Sequence, residues 1–171
     1  VHGLRAPAAR RTMPDRPLVT FAVLAYNQEP FVREAIEAAL AQTYSPLEVL
    51  LSDDASSDRT FAIMQEVASE YAGPHRVLLN RNSRNQGLTE HVNTVGRLMQ
   101  GGFLVFAAGD DISLPNRTAS TLAPFLKQGG DTLIGVACRH QRIDAESKPV
   151  DAPGGQASVF DPQPSESGGR W

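Results

Sequence analysis

The chain has 171 residues, 41% hydrophobic and 20% charged, which suits one domain with a buried core and excludes a wholly disordered sequence. Its net charge of −3, with basic residues scattered rather than clustered, excludes a nucleic-acid binder working through a basic face. A single cysteine, Cys138, excludes an internal disulfide and a cysteine-built zinc site. No apolar run approaches the ~20 residues of a membrane helix, and no secretory signal pattern is visible. The expectation is a cytoplasmic α/β protein, with peripheral association at the inner membrane face left open.

Residues 1–16 read as a flexible leader, Arg-rich and bounded by Pro14 and Pro17. Leu18 to Tyr26 is a continuous apolar run, as a strand buried on both faces of a parallel sheet requires. Pro30 suits the first turn of a helix, and Phe31, Ala35, Ile36, Ala39 and Leu40 recur at helical spacing. A second strand, Leu47 to Leu51, runs into Ser52-Asp53-Asp54. Ser56 or Ser57 offers a cap for a helix whose stripe is Phe61, Met64, Val67, Ala68 and Tyr71. Gly73-Pro74 ends it.

A third strand, Val77 to Leu79, leads into a polar loop, Asn80 to Gly87. The third helix has Thr89 as its expected cap and Val92, Val95, Leu98 and Met99 facing inward. Phe103 to Ala108 form a fourth strand ending in Gly109-Asp110-Asp111, and Pro115 opens a fourth helix. A fifth strand is expected at Thr132 to Cys138, with a hairpin around Asp144 to Lys148. This alternation implies an α/β fold with a doubly wound, mostly parallel twisted sheet and right-handed crossovers. Gly, Pro and Ser crowd residues 149–171, so 17–148 is the expected folded domain and 149–171 a disordered tail. The loose ends suggest part of a longer protein.

In such a sheet ligands bind outside the carboxyl ends of the strands. Four polar groups fall there: Tyr26-Asn27, Asp53-Asp54, the Asn80–Gly87 loop and Asp110-Asp111. Asp110 and Asp111 have no adjacent basic residue, Arg117 being the nearest, and like charges this close oppose each other's ionisation unless a cation intervenes. A hard divalent ion, Mg²⁺ or Mn²⁺, takes one or two carboxylates and completes its shell with water and phosphates. A solvated turn capping the next helix is the competing explanation. Asp54 can accept from a pyrimidine N–H or ribose hydroxyls, or the Asp53-Asp54 cluster with Asp58 can simply cap a helix. Tyr26 can stack on a base or fill a strand end; Asn82, Arg84, Asn85 and Gly87 can meet ribose or phosphate or form an ordinary turn. His75 and His91 read as loop and helix-surface residues, and Cys138 as a small core residue. No dinucleotide-binding glycine fingerprint or P-loop occurs.

Val19-Thr20-Phe21-Ala22-Val23-Leu24-Ala25-Tyr26-Asn27, Ala41-Gln42-Thr43-Tyr44, and Leu47 through Asp53-Asp54-Ala55-Ser56-Ser57-Asp58 resemble the start of family 2 glycosyltransferases. Asn85-Gln86-Gly87 with Asn93, then Gly109-Asp110-Asp111-Ile112-Ser113-Leu114-Pro115, continue the resemblance in order, over Pro17 to Val150. It implies a Rossmann-like GT-A fold, here its donor half, and inverting transfer from a nucleotide-diphosphate sugar, often UDP-linked, with a divalent metal. It further implies that Ala25, Tyr26, Asn27, Asp54, Asn85, Gly87 and Asp110 form the donor nucleotide site. Asp110 and Asp111 would hold Mg²⁺ or Mn²⁺. Ala108 stands where many members carry the first Asp of a DxD-type motif, so which aspartate binds metal stays open. The acceptor, whether glycan, lipid carrier or protein, is unspecified, and the role expected is in cell-surface polysaccharide synthesis. Asp144 and Asp151 match no catalytic-base motif, so the base is expected outside this chain. Two alternatives are a catalytically incomplete sugar-nucleotide-binding fragment and a flavodoxin-like phospho-acceptor signalling domain. The second wants a lysine ending the last strand, which Lys127 and Lys148 do not supply.

Overall fold

The computed structural model describes residues 16–128 and 135–150. Within the first stretch the order is β1 (Val19–Ala25), α1 (Val32–Leu40), β2 (Leu47–Asp53), α2 (Thr60–Glu70), β3 (Arg76–Arg81), α3 (Leu88–Leu98), β4 (Phe103–Ala108) and α4 (Arg117–Gln128). The four strands form one parallel sheet in the order β3-β2-β1-β4.

Every residue of β1 and β2 is buried, the outcome of placing apolar runs in the middle of a sheet covered on both faces. Alternate side chains go to opposite faces. Phe21, Val23, Val49 and Leu51 join Ile36 of α1, Met64 of α2 and Leu122 of α4 in the larger core. Ala22, Leu24 and Leu50 meet Val95 of α3 on the other face. The chain thus lays α1, α2 and α4 on one side of the sheet and α3 on the other.

Several boundaries move from their sequence expectation. β2 continues to Asp53, because its last two residues pair with Asn80 and Arg81 of a six-residue β3. The cap position of α3 is Gly87, with φ 76°, and Thr89 lies inside the helix. Ser56 and Ser57 cap nothing; Asp58 Oδ1 accepts the Thr60 N–H at 2.9 Å at the start of α2. α4 begins two residues after Pro115, whose carbonyl accepts from Thr43 N at 2.9 Å.

The second stretch belongs to a separate compact unit, from Gly135 onward. Its hairpin forms around Asp144 to Lys148, with an antiparallel bridge between Ile143 and Pro149 and Asp144 N donating to the Lys148 carbonyl at 2.9 Å. The fifth strand expected at Thr132 to Cys138 is not borne out where it can be followed: residues 135–138 have no strand partner, and 132–134 lie outside the described residues. Cys138 is exposed rather than a core residue. Of the leader expected at 1–16 and the tail expected at 149–171, residues 1–15 and 151–171 lie outside the described residues.

Candidate functional site

The chain leaves β3 at one edge of the sheet and returns through α3 to β4 on the far side of β1. The winding direction therefore reverses between β1 and β4. That is where an open parallel sheet leaves a crevice beyond its carboxyl ends. An open pocket of about 270 Å³ lies there, its lining drawn from Ala25 and Tyr26 at the end of β1, Asp54 after β2, Asn85 and Gly87 before α3, and Ala108 closing β4. Tyr26 is 47% exposed and lines the pocket instead of filling a core position.

Asp54 sits in the wall of this pocket with only 3% of its surface exposed. Its carboxylate accepts from Asn82 Nδ2 at 2.8 Å, from Gln86 N at 3.0 and 3.1 Å, and from Gly87 N at 3.0 Å. Burial by itself would raise this carboxyl; the side-chain and backbone donors outweigh it and hold the group below the ordinary aspartate value. The Gln86 N–H is shared between the two oxygens, so each oxygen carries one donor of its own and half of another. Asn82 thus positions Asp54 rather than facing the pocket, and exposed Arg84 lies outside the pocket lining.

Its neighbour Asp53 does different work. Asp53 Oδ2 accepts from Ser56 N at 3.0 Å and pairs with Arg81 Nε at 3.3 Å, which folds the β2–α2 loop back on itself. Asn27 joins the same loop. With φ 52° it takes the left-handed conformation that asparagine tolerates, and its Oδ1 accepts from Ser57 N at 2.8 Å while its own N–H donates to Ser56 Oγ at 2.9 Å. Asn27 is a clip between two loops, and it does not line the pocket.

Asp110 and Asp111 lie just beyond β4, both exposed and both outside the pocket lining. Gly109 before them is fixed by packing: a Cβ there would stand 2.4 Å from Gln28 Oε1 and 2.7 Å from Ala25 Cβ. Asp111 Oδ2 accepts from Ala108 N at 3.3 Å, and Asp110 has no hydrogen bond or ion pair among the described residues. Arg117, the nearest cation in sequence, is committed to Ser113 Oγ at 2.7 Å and the Phe106 carbonyl at 2.8 Å. No described group of three or more His, Cys, Asp or Glu gathers as a metal cluster. Two adjacent carboxylates with no cationic partner nevertheless fit an ion that completes its shell with water and phosphate oxygens.

Gln42 holds this segment from below. Buried at 3% exposure, its amide donates to Ala38 O and Leu114 O and accepts from Thr118 N at 2.9 Å and Thr118 Oγ1 at 2.8 Å. The Ala41-Gln42-Thr43-Tyr44 motif is therefore a brace between the end of α1 and the loop that carries the aspartate pair.

Two pocket residues escape sequence reading. Gln28 lines the pocket, and its buried Oε1 has no hydrogen-bond donor. His91 is a correction as well as an omission: it is 3% exposed, lines the pocket from α3, and its Nε2 lies 2.7 Å from Ser52 Oγ. His75 is likewise buried, with Nε2 2.8 Å from the Gln42 carbonyl. Position four residues after Gly87 was a usable signal for His91, since it places the ring over the loop that Gly87 opens.

Known proteins resemble this chain. The model of the family described as "Glycosyl transferase family 2" matches residues 20–162. Chondroitin synthase of Escherichia coli is 33% identical over 138 residues, covering 79% of this chain and 19% of that one. A solved structure of mannosyltransferase PcManGT from Pyrobaculum calidifontis, in complex with GDP-Man and Mn²⁺, superposes with TM-score 0.61 at 29% identity, covering 74% of this chain and 36% of that one. The Staphylococcus aureus TarS 1-349 structure in complex with UDP-GlcNAc, at TM-score 0.55 and 22% identity over 64% of this chain and 31% of that one, shares the fold. The chain spans 44% and 19% of the lengths of the first two curated relatives it matches. The parallel sheet and its neighbours bear out the GT-A expectation, and the chain belongs to glycosyl transferase family 2.

Proposed function

We propose that this chain is the donor-binding part of an inverting glycosyltransferase that takes its sugar from a nucleotide-diphosphate donor, UDP-linked in the first instance. The observation that carries the reading is the pocket at the β1/β4 reversal, which sets the half-exposed Tyr26 ring and the buried Asp54 carboxylate beside the end of β4. In this reading Tyr26 stacks on the base, Asp54 accepts from its N–H edge, and the Asn85–Gly87 loop borders the nucleoside. Asp110 and Asp111 would hold Mg²⁺ or Mn²⁺ where the donor diphosphate leaves the pocket. When bound, such an ion supplies Lewis-acid stabilisation of the charge developing on the departing diphosphate. The mannosyltransferase structure with GDP-Man and Mn²⁺ supports this assignment of ligand class and makes GDP the second nucleotide to try.

The acceptor belongs to the proposal only as a class: a glycan, lipid carrier or protein hydroxyl, in cell-surface polysaccharide synthesis. The same reading places the protein in the cytoplasm, at the inner membrane face if the acceptor is lipid-borne.

The test is calorimetric titration of UDP, then GDP, with Mn²⁺ and with EDTA, on protein shown to melt cooperatively. Binding that needs metal is expected, and Asp110→Ala/Asp111→Ala should weaken it at least about tenfold with little change in melting temperature, because both side chains are exposed. A folded protein that binds neither nucleotide defeats the reading.

A further inference from the structure

Beneath the pocket runs a continuous chain of polar side chains, buried except at the half-buried Asn80. Asp54 Oδ1 accepts from Asn82 Nδ2 at 2.8 Å; Asn82 Oδ1 accepts from Asn80 Nδ2 at 3.1 Å; Asn80 Nδ2 also donates to Ser52 Oγ at 3.0 Å; and Ser52 Oγ lies 2.7 Å from His91 Nε2. Sheet register builds it, since Ser52 and Asn80 are direct partners on β2 and β3. The helix closes it from above, because His91 N donates to the Gly87 carbonyl at 2.9 Å while Gly87 N donates back to Asp54 at 3.0 Å.

The directions of the first three bonds follow from the ionised first member, and that of the fourth from the need of the buried Ser52 hydroxyl for an acceptor. An ionised carboxylate only accepts, so Asn82 must present its amide nitrogen to Asp54 and its oxygen to Asn80. Asn80 then has to donate, and its second N–H goes to Ser52 Oγ. Ser52, already an acceptor there and with no other acceptor recorded for its hydroxyl among the described residues, donates to His91 Nε2. A neutral imidazole that accepts at Nε2 carries its proton on Nδ1. Nδ1 has no hydrogen-bond partner among the described residues, and the little of His91 left uncovered lines the pocket.

We propose that His91 is a base-reading residue whose Nδ1–H, fixed by the Asp54–Asn82–Asn80–Ser52 relay, pairs with a nucleobase carbonyl while Asp54 accepts the adjacent ring N–H. This rests on the nucleotide reading above and deepens it. An acceptor and a donor side by side select a base edge that offers a ring N–H next to C=O, as uracil and guanine do. Cytosine and adenine offer an unprotonated ring nitrogen next to an amino group; a base held in the uracil register by its ribose and by stacking then leaves Asp54 facing a lone pair and His91 facing an N–H. A site whose buried polar groups are left unpaired discriminates strongly.

The experiment is titration of UDP and of CDP, each with Mn²⁺, into the wild-type chain, His91→Ala and Ser52→Ala. Wild type should prefer UDP; His91→Ala should lower UDP affinity about tenfold while leaving CDP affinity unchanged, collapsing the ratio. Ser52→Ala, which keeps the ring but releases its tautomer, should collapse the ratio in part. A merely structural role for His91 would weaken both nucleotides together, and that result overturns the proposal, as does a wild type that binds UDP and CDP equally. Binding of neither these nor GDP removes the nucleotide reading itself. Long-range ¹H–¹⁵N spectra of ¹⁵N-histidine-labelled wild type provide a check independent of how the variants fold. They should show His91 protonated at Nδ1, with that resonance shifting on addition of UDP; an Nε2-protonated ring, or one indifferent to UDP, overturns the assignment.

Discussion

At the amino-terminal ends of the strands, Gly101 N donates to Thr20 Oγ1, Thr20 Oγ1 donates to Glu48 Oε1 at 3.0 Å, and Gln100 N donates to the same oxygen at 3.1 Å. Arg76 Nη1 stands 3.6 Å from the other oxygen, Glu48 Oε2, which accepts no hydrogen bond but lies away from the pocket. At the carboxyl-terminal ends, Asp54 is held by three N–H donors in a similar way, yet it lines an open pocket. Around it, Gln28 Oε1, His91 Nδ1 and the Asp110 carboxylate have no partner of their own among the described residues. Both rims bury a carboxylate, so burial and charge do not separate structure from function here. Unsatisfied hydrogen-bonding capacity beside an opening does.

The widest gap between the two rims should open with a pair of truncations. Glu48→Ala strands the Thr20 hydroxyl and the Gln100 N–H, and should destabilise the fold by about 3 kcal/mol with nucleotide affinity unchanged. Asp54→Ala strands the Asn82 amide and the Gln86 and Gly87 N–H groups, and should cost a similar amount, about 3 kcal/mol, while abolishing nucleotide binding. Denaturant melts with and without UDP separate the outcomes. If Glu48→Ala also abolished binding in the folded fraction, the two rims would not be independent.

A smaller effect comes from the loop after β2. Ala55 is held at φ 61°, a left-handed conformation that burdens any Cβ-bearing residue. Ala55→Gly should relieve it and raise stability by about 0.5–1 kcal/mol, net of the extra entropy glycine loses on folding. An unchanged or lowered midpoint would show that the loop derives nothing from the exchange.

The most gradual effect is with pH. His91 lies below the ordinary histidine value because burial disfavours its charged form, against the pull of Asp54 and Asp53. A depressed folded value means that the unfolded chain binds the proton first as pH falls. This contribution is therefore complete above the unfolded histidine pKa of about 6.5 and is lost as pH drops through the folded value. Asp54, also depressed, acts with the same sign but lower, its contribution fading as pH falls below the unfolded aspartate value of about 3.9. Stability should begin to decline below about pH 6.5 in wild type, and His91→Asn should flatten that first part of the profile.

Much of the fold was legible in advance because strands buried on both faces need unbroken apolar runs, and Val19–Ala25 and Leu47–Leu51 are such runs. The boundaries moved where polar residues entered regular structure: Ser52 and Asp53 extend β2 because β3 pairs with them. Tyr26 and Asp54 reach the pocket lining because each follows a strand end, whereas Asp110 and Asp111 follow β4 but lie outside that lining. Asn27 falls at the same rim, but its side chain turns to Ser57, a choice made by the loop across from it. His91 was misread because apolar periodicity puts Val92, Val95, Leu98 and Met99 inward, of which Leu98 is in fact 41% exposed. What buries a histidine between them is the polar pair Ser52 and Asn80 on the strands below.

The amino-acid sequence by itself determined the alternation of strands and helices, and with it the parallel sheet and the rim at which polar groups collect. Both follow from local hydrophobic pattern and the handedness of crossovers. Tertiary structure alone decided which of those polar groups retain bonding capacity. That depends on donors and acceptors brought from residues 28 to 39 positions away, as Asn82 is to Asp54 and Ser52 is to His91. A hydrogen bond is settled by ångström-scale juxtaposition, which sequence spacing does not specify.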